Sequence, residues 1–353
     1  MRIAFRLHSA IMRIPIKYLL FYFLSTLIIF FSGNLYAQKA DSIVVSEIFQ
    51  SADDISTVRT LLIQQHGELL HAESFDGRSL NRPFNIKSAS KSIIGLLTGI
   101  AIEKELIPSI EEPIKTYFPE YFESNPDSLK ENITIKNLLT MKTGLRSTSS
   151  RNYGAWVISD NWIEYALDQD FVAEINGRMV YSTGTSHLLS VIISKAAEMS
   201  TKEFAEKYLF EPMNIRIGGW DKDPQGNYMG GNNMSLKPSD MLKIGQLLLD
   251  GGVYNERQLI SESWIQDSFK TYAYSNYNPF GYGYQLWNQE IGGHQVYFAW
   301  GNGGQYIFVI PEIEAVIVIT SSTLNTSPRR GYKDTIFPLL EDKIIPYLEE
   351  KKF

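Results

Sequence analysis

The sequence predicts an α+β fold in which an antiparallel sheet is flanked by helices from both ends of the chain. Strand patterns, rich in β-branched and aromatic residues, lie near the start and near the end of the sequence. A long region of helical periodicity separates them, and a further helical pattern closes the chain. Strands from the two ends can therefore pair in one sheet, with the intervening helices inserted as a second lobe beside a cleft.

The first half of the chain contains one predicted hairpin and most of the predicted helices. A lead-in helix at 41–53 precedes strands at 57–64 and 68–75, which the turn at His66-Gly67 joins. A loop with a short helix is expected at 109–118. Helices are predicted at 88–104, 135–141, 162–167, 186–199, 203–209 and 239–249, the last of them capped by Ser239 behind Pro238.

The second half is dominated by strands. They are predicted at 282–287, 295–300, 305–310 and 315–321, with a turn at 311–314, and a helix at 332–350 follows. This order predicts a sheet lobe made of about 38–85 and 250–353, and a helical lobe of about 86–249.

Composition excludes several classes of function. The 353 residues carry a formal net charge of −6, and no basic block follows the first twenty residues, so a nucleic-acid partner is not expected. The chain has no cysteine, which removes thiolate chemistry and disulfides. Its five histidines lack metal-ligand spacing, so neither a metal nor another cofactor is expected.

The N-terminus has the pattern of a secretory signal. Four basic residues precede an apolar run at 18–31, and a small residue follows at Ala37. We therefore expect a signal peptide at 1–37, cleaved after Ala37, and export to the periplasm. An uncleaved anchor is the alternative, although the run is shorter than the roughly 20 residues of a membrane span. Membrane contact is expected through this segment alone.

The strongest local motif is Ser-x-x-Lys at Ser88 and Lys91, where an apolar helix begins. A serine at a helix N-terminus sits where unpaired N–H groups favour developing negative charge. A lysine three residues later lies on the same face, and burial would let it accept the serine proton. The alternative is a serine cap followed by a solvated lysine. Ser90 has no lysine at the same spacing.

Two further segments carry weaker signals. Tyr181 lies just before a predicted helix, where its phenol near a lysine ammonium could shift towards the phenolate and serve as a proton shuttle. The alternative is a packed loop aromatic. Glycines at 301, 303 and 304 border a predicted strand and indicate a close backbone approach. Backbone N–H groups there could complete an oxyanion hole with that of Ser88, unless this is a plain glycine-rich hairpin.

In order and spacing, these signals resemble the serine β-lactamase and penicillin-binding-protein superfamily. The resemblance is greatest to the branch that contains class C β-lactamases, esterases and aminohexanoate-oligomer hydrolases. It covers nearly all of the chain after the signal segment. The matching segments are 84–91, 133–145, Tyr181, 240–245 and 301–305.

The resemblance implies acyl transfer through a covalent intermediate. Ser88 would be the nucleophile, with Lys91 and Tyr181 sharing the proton transfers. The backbone N–H groups of Ser88 and Asn302 would form the oxyanion hole. Substrate contacts would come from Thr183, Trp300, Gly301 and Gly303.

Two departures from the family pattern bear on the substrate. Thr183 stands where the family's Tyr-x-Asn motif has asparagine, and Trp300 precedes Gly301 where relatives have Lys-Thr-Gly or His-x-Gly. No cation on that strand would hold a substrate carboxylate. We therefore expect a small-molecule ester, amide or short peptide as substrate. A β-lactamase or DD-peptidase, and a catalytically silent binding protein on the same fold, are the alternatives.

Overall fold

The computed structural model describes residues 42–77, 80–323 and 333–351. The chain divides into two compact units, residues 1–50 and 51–353. In the first unit, the described residues 42–50 are helical. The predicted signal peptide at 1–37 lies outside the described residues. Where the structure describes the chain, no helix has the length and apolar character needed to cross a membrane.

The helices and short helical turns have the following bounds. The α-helices are α1 (42–53), α2 (Ser90–Glu103), α3 (Pro119–Ser124), α4 (Ile135–Leu139), α5 (Tyr153–Val157), α6 (Trp162–Leu167), α7 (Thr183–Ala197), α8 (Thr201–Ala205), α9 (Pro238–Leu249), α10 (Glu262–Phe269), α11 (Lys333–Leu339) and α12 (Ile345–Glu350). π-helical turns extend α8 over Glu206–Phe210 and join α11 to α12 over Leu340–Ile344. 3₁₀ turns lie at Lys87–Ala89, Ile114–Tyr117, Lys130–Asn132, Ser150–Asn152 and Pro311–Ile313.

Thirteen strands are present among the described residues. They are β1 (Val58–Gln65), β2 (Glu68–Ser74), β3 (Phe84–Asn85), β4 (Gly219–Trp220), β5 (Met234–Leu236), β6 (Val253–Tyr254), β7 (Arg257–Gln258), β8 (Ala273–Tyr274), β9 (Gly281–Tyr282), β10 (Trp287–Ile291), β11 (His294–Gly301), β12 (Gln305–Ile310) and β13 (Ala315–Ser321). Eight of them form an antiparallel sheet in the order β2-β1-β13-β12-β11-β10-β9-β8. Two small sheets have the orders β3-β5-β4 and β6-β7.

The predicted fold class is confirmed, because strands from both ends of the chain meet in this sheet. β1 pairs with β2 and with β13, so the N-terminal hairpin joins the C-terminal strands directly. β12 and β13 are buried along their whole length, as their nearly unbroken apolar sequences require. α9 packs against both of these strands and against β1. The boundaries given above for the two lobes remain a prediction.

Three sequence predictions about these elements were wrong. The predicted strand at 282–287 is two strands, because Gln285 has a φ of +59° and turns its buried amide towards the carbonyls of Leu138 and Leu139. Ser239 does not cap α9, which begins one residue earlier with Pro238 in its first turn, where a missing N–H costs nothing. The helix predicted at 186–199 begins at Thr183, so Thr183 lies in the first turn of α7 rather than in a loop.

Candidate active site

Ser88 lies on a tight 3₁₀ turn that leads directly into α2. The residue before it, Lys87, has a φ of +52°, which costs energy for a residue with a side chain. Side chains on both flanks hold this conformation: the Asn85 Oδ1 accepts from the Lys87 N–H at 2.9 Å, and the Ser90 hydroxyl donates to the Lys87 carbonyl at 2.8 Å. The turn leaves Ser88 partly exposed. A strained, supported turn of this kind is expected where a nucleophile must be presented.

Lys91 lies in the first turn of α2, three residues after Ser88, and is only 1% exposed. Its Nζ donates to the Gly231 carbonyl at 2.5 Å, to the Thr183 hydroxyl at 3.3 Å and to the Ser88 hydroxyl at 3.4 Å. None of these three partners is a carboxylate. Burial therefore lowers the pKa of Lys91 from its ordinary 10.5 to about 7. A substantial fraction of the amine is neutral at physiological pH and can take the Ser88 proton.

Tyr181 completes the group around the serine. Its phenol interacts with the Ser88 side chain, and its ring stacks on Trp287 with centroids 5.5 Å apart. The Lys91 Nζ lies 5.1 Å from the ring centroid. Burial raises the pKa of Tyr181 to about 12, and the interaction with Ser88 opposes this only in part. The expected shift towards phenolate is therefore wrong for the free enzyme: Tyr181 is a neutral phenol, suited to donate a proton.

The glycine segment at the end of β11 lies against the turn that carries Ser88. A Cβ on Gly301 would stand 2.1 Å from the Ile86 carbonyl, so only glycine allows the strand to approach this closely. The turn that follows contains Asn302, which is exposed, and Gly303, whose φ is +96°. The predicted oxyanion residues thus belong to two backbone segments in contact.

Trp300 is partly buried beside this segment and belongs to an aromatic cluster. Its ring lies parallel to that of Tyr306 at 6.2 Å, and 5.7 Å from Trp287, the residue on which Tyr181 stacks. Its indole nitrogen is buried and has no hydrogen-bond partner among the described residues. Trp300 therefore adds aromatic surface beside the Ser88 turn, while its indole N–H is buried.

Thr183 is buried, and its hydroxyl is already engaged inside the protein. Besides the contact with Lys91, the hydroxyl shares a 2.8 Å hydrogen bond with the Ser149 hydroxyl, which also accepts from the Thr183 N–H at 2.8 Å. These contacts orient the Lys91 amine. A direct substrate contact by Thr183, as the resemblance implied, stays a prediction.

Sequence reasoning missed Gly231, whose carbonyl is the nearest partner of Lys91. A Cβ at this position would stand 2.9 Å from the Lys91 Nζ, so a larger residue would displace the amine. The run Gly230-Gly231-Asn232-Asn233 was a visible turn signal. Nothing in it indicated a partner 140 residues away.

This arrangement is typical of one class of serine hydrolases. In that class a serine precedes a buried helix, a lysine follows one turn later, and a tyrosine lies ahead of a second helix beside an antiparallel sheet. A family model described as "Beta-lactamase" matches residues 59–337, and the chain belongs to this family of serine hydrolases. One curated relative is "Putative penicillin-binding protein PbpX" of Bacillus subtilis (strain 168), 22% identical over 250 residues. The match covers 62% of this chain, and it spans about three fifths (61%) of the relative.

Solved structures have the same fold. The structure titled "Putative 6-aminohexanoate-dimer hydrolase from Bacillus anthracis" superposes with a TM-score of 0.70 at 19% identity, covering 84% of this chain and 80% of that one. EstCE1, a hydrolase with promiscuous acyltransferase activity, gives a TM-score of 0.71 at 15% identity, covering 88% of this chain and 99% of that one. At these identities the likeness shows the fold alone.

Proposed function

We propose that this protein is a serine hydrolase that cleaves an ester or amide bond through an acyl-enzyme on Ser88. The observation that carries the proposal is Lys91, which is buried without a carboxylate partner and contacts the Ser88 hydroxyl. A buried lysine without a counter-charge destabilises the fold, and such groups concentrate at sites where a base is needed.

The mechanism follows from the positions of the groups. The Ser88 oxygen attacks the substrate carbonyl carbon while its proton passes to the neutral amine of Lys91. The N–H groups of Ser88 and Asn302 stabilise the oxyanion that forms. As the tetrahedral intermediate collapses, Tyr181 protonates the leaving alcohol or amine and recovers a proton from Lys91. Water then attacks the acyl-enzyme by the reverse sequence of proton transfers and releases the acid.

The aromatic surface at Trp300 favours substrates without a carboxylate next to the scissile bond. Small esters, amides and short peptides fit this description. Such chemistry agrees with the names of the two structural neighbours, an aminohexanoate-dimer hydrolase and a hydrolase with acyltransferase activity. We also propose that residues 1–37 direct export to the periplasm, where the enzyme would meet its substrate.

A β-lactamase or DD-peptidase activity is the second candidate, because the curated relative is named for penicillin binding. β11 carries neither lysine nor arginine beside Gly301 to hold the carboxylate of such substrates. A catalytically silent binding protein is the third possibility, and the intact Ser88, Lys91 and Tyr181 set argues against it.

Intact-mass analysis after exposure to a fluorophosphonate, with labelled penicillin in parallel, tests the proposal. We expect one fluorophosphonate adduct on the native protein, none on Ser88→Ala, and no stable penicillin adduct. A stable penicillin adduct at Ser88 would favour the β-lactam or cell-wall activity. If neither reagent labels the protein, the hydrolase proposal is wrong and the silent scaffold becomes the better explanation.

The substitution Tyr181→Phe tests the proposed proton donor. It removes the phenolic hydroxyl but keeps the ring that stacks on Trp287, so folding should be retained. We expect hydrolysis of an alkyl ester to slow by about 10²–10⁴-fold, the usual contribution of a general acid. Hydrolysis of a nitrophenyl ester should slow less, because nitrophenolate leaves without a proton. Equal losses in the acylation step of both esters, measured as the burst of released alcohol or nitrophenolate, would contradict the assignment of Tyr181 to the leaving group.

A further inference from the structure

The segment that supplies the Gly231 carbonyl is fixed to α7 by a buried hydrogen bond between His187 and Asp223, outside the catalytic group. His187 lies on α7 one turn after Thr183, and its Nε2 is 3.0 Å from the Asp223 Oδ2. Both side chains are fully buried. Asp223 belongs to the stretch between β4 and β5, which also contains Gly231. Nothing in the proposed mechanism uses this pair.

The hydrogen bonds around the pair assign its proton. The Gly230 N–H donates to the His187 Nδ1 at 3.4 Å, so this nitrogen accepts and the proton is on Nε2, which donates to Asp223. Asp223 also accepts from the Asn227 N–H at 2.7 Å and from the Asn227 amide at 2.9 Å. Burial acts to raise the pKa of Asp223, but these hydrogen bonds prevail and hold it below its ordinary value.

Two indole rings pack against His187. Trp156 and Trp162 meet its imidazole edge to face, with centroids 5.8 Å and 5.6 Å away. Trp156 is fully buried, so this side of α7 is closed to water. The imidazole is thus held in one orientation, with Nδ1 directed at Gly230 and Nε2 at Asp223.

We propose that His187 and Asp223 are positioning residues for Lys91, which hold residues 230–231 so that the Gly231 carbonyl receives the lysine amine. α7 then controls two of the three Lys91 contacts, one directly through Thr183 and one through His187 and Gly230. The inference rests on the proposed role of Lys91 as the base. Displacement of reacting groups by about 1 Å can cost about 100-fold in rate, so the effect on activity should be large.

Ser190 provides a matched control for a merely structural role. Its hydroxyl donates to the Tyr228 carbonyl at 2.7 Å, which also ties α7 to the stretch between β4 and β5. This bond involves neither residues 230–231 nor Lys91. Ser190→Ala should therefore lower stability without changing the environment of the lysine amine.

The experiment compares the native protein with His187→Phe, His187→Gln, Asp223→Asn and Ser190→Ala. The pH titration of the Lys91 ¹³Cε resonance is measured, with assignment by its loss in Lys91→Met, together with the fluorophosphonate labelling rate at Ser88. Among the described residues, Tyr181 is the titratable side chain that faces Lys91, and its pKa of about 12 keeps it neutral while Lys91 titrates. The other partners of Lys91 are Ser88, Thr183 and the Gly231 carbonyl. Asp223 is the charged group that faces His187.

We expect His187→Phe to label about 10- to 100-fold more slowly. Its Lys91 titration should move to lower pH, because the ammonium form loses its nearest acceptor. His187→Gln should restore most of the rate, since an amide can accept from Gly230 and donate to Asp223. The labelling rate of Asp223→Asn should fall between those of the two His187 variants. This variant provides the test if His187→Phe does not fold. Ser190→Ala should keep the native rate and titration despite a lower melting temperature.

Two outcomes would overturn the inference. One is an unchanged Lys91 titration in folded His187→Phe or Asp223→Asn. The other is a loss of labelling in Ser190→Ala as large as that in the His187 variants. Failure of the proposed hydrolase function would look different, because the native protein itself would not label at Ser88. The Lys91 titration would still report on positioning in that case.

Discussion

The substitution Ser88→Ala should abolish ester hydrolysis while the protein remains folded. Loss of the nucleophile in serine hydrolases costs as much as about 10⁶-fold in kcat, so the residual rate should approach the background. The removed hydroxyl contacts only Lys91 and Tyr181 among its described partners, and each hydrogen bond contributes about 1 kcal/mol to stability. Hydrolysis of p-nitrophenyl butyrate and the melting temperature measure the two effects separately.

Ser90→Ala is the matched control for this result. Ser90 is the neighbouring serine, and its hydroxyl supports the Lys87 carbonyl rather than pointing to the reacting groups. The variant loosens the turn at Lys87, so it should lose some stability and some turnover, but it should still be labelled once by a fluorophosphonate. Native rates in pure Ser88→Ala, or loss of labelling in Ser90→Ala alone, would show that Ser88 is not the nucleophile.

The fold was predictable where local pattern and burial agree. The strands predicted at 305–310 and 315–321 match β12 and β13 residue for residue, because each is an apolar run covered on both faces. The prediction failed at Gln285, in a stretch otherwise rich in aromatic residues. There the amide fills the hydrogen-bonding needs of two carbonyls at the end of α4, a tertiary contact that the local sequence does not contain.

The residues of the site likewise divide into those that the sequence predicts and those that only the tertiary structure brings in. Ser88 and Lys91 are one helical turn apart, so the sequence brings them together by helix geometry alone. Tyr181 was identified mainly through the family resemblance, because a position just before a predicted helix is a weak signal for one tyrosine among 20. Other residues reach the site only through tertiary packing, namely Ser149, Gly231 and the His187–Asp223 pair. They were not predictable from spacing, and they are the residues that give Lys91 its environment.

The substitution Lys91→Met should separate catalysis from stability. Methionine keeps much of the aliphatic length of lysine but cannot take the Ser88 proton, so turnover should fall by at least about 10²–10⁴-fold. Lys195→Met is the control: Lys195 is an exposed residue of α7 whose Nζ donates to the Tyr117 carbonyl at 2.6 Å, and its loss should leave turnover unchanged. In the native protein, turnover should rise with pH through about 7 as the Lys91 amine loses its proton.

The same substitution should not destabilise the protein near neutral pH. Lowering the pKa of Lys91 from 10.5 to about 7 corresponds to a penalty of up to roughly 5 kcal/mol for burying the charge. Between these values the unfolded chain binds more protons than the folded one, so the stability contributed at this site rises with pH. Below pH 7 the full penalty applies.

The pH dependence of unfolding therefore tests the environment of Lys91 independently of any substrate. Methionine removes the penalty but leaves the Gly231 carbonyl and the Thr183 hydroxyl without a donor, at about 1–3 kcal/mol for a buried group. The two effects nearly offset, so urea unfolding should find Lys91→Met close to the native protein in stability at pH 6, and the native protein should gain on it up to pH 10. A constant difference across this range would mean that the folded protein holds Lys91 charged. The base would then have to be another group, and Tyr181 is the one other titratable side chain that interacts with Ser88 among the described residues.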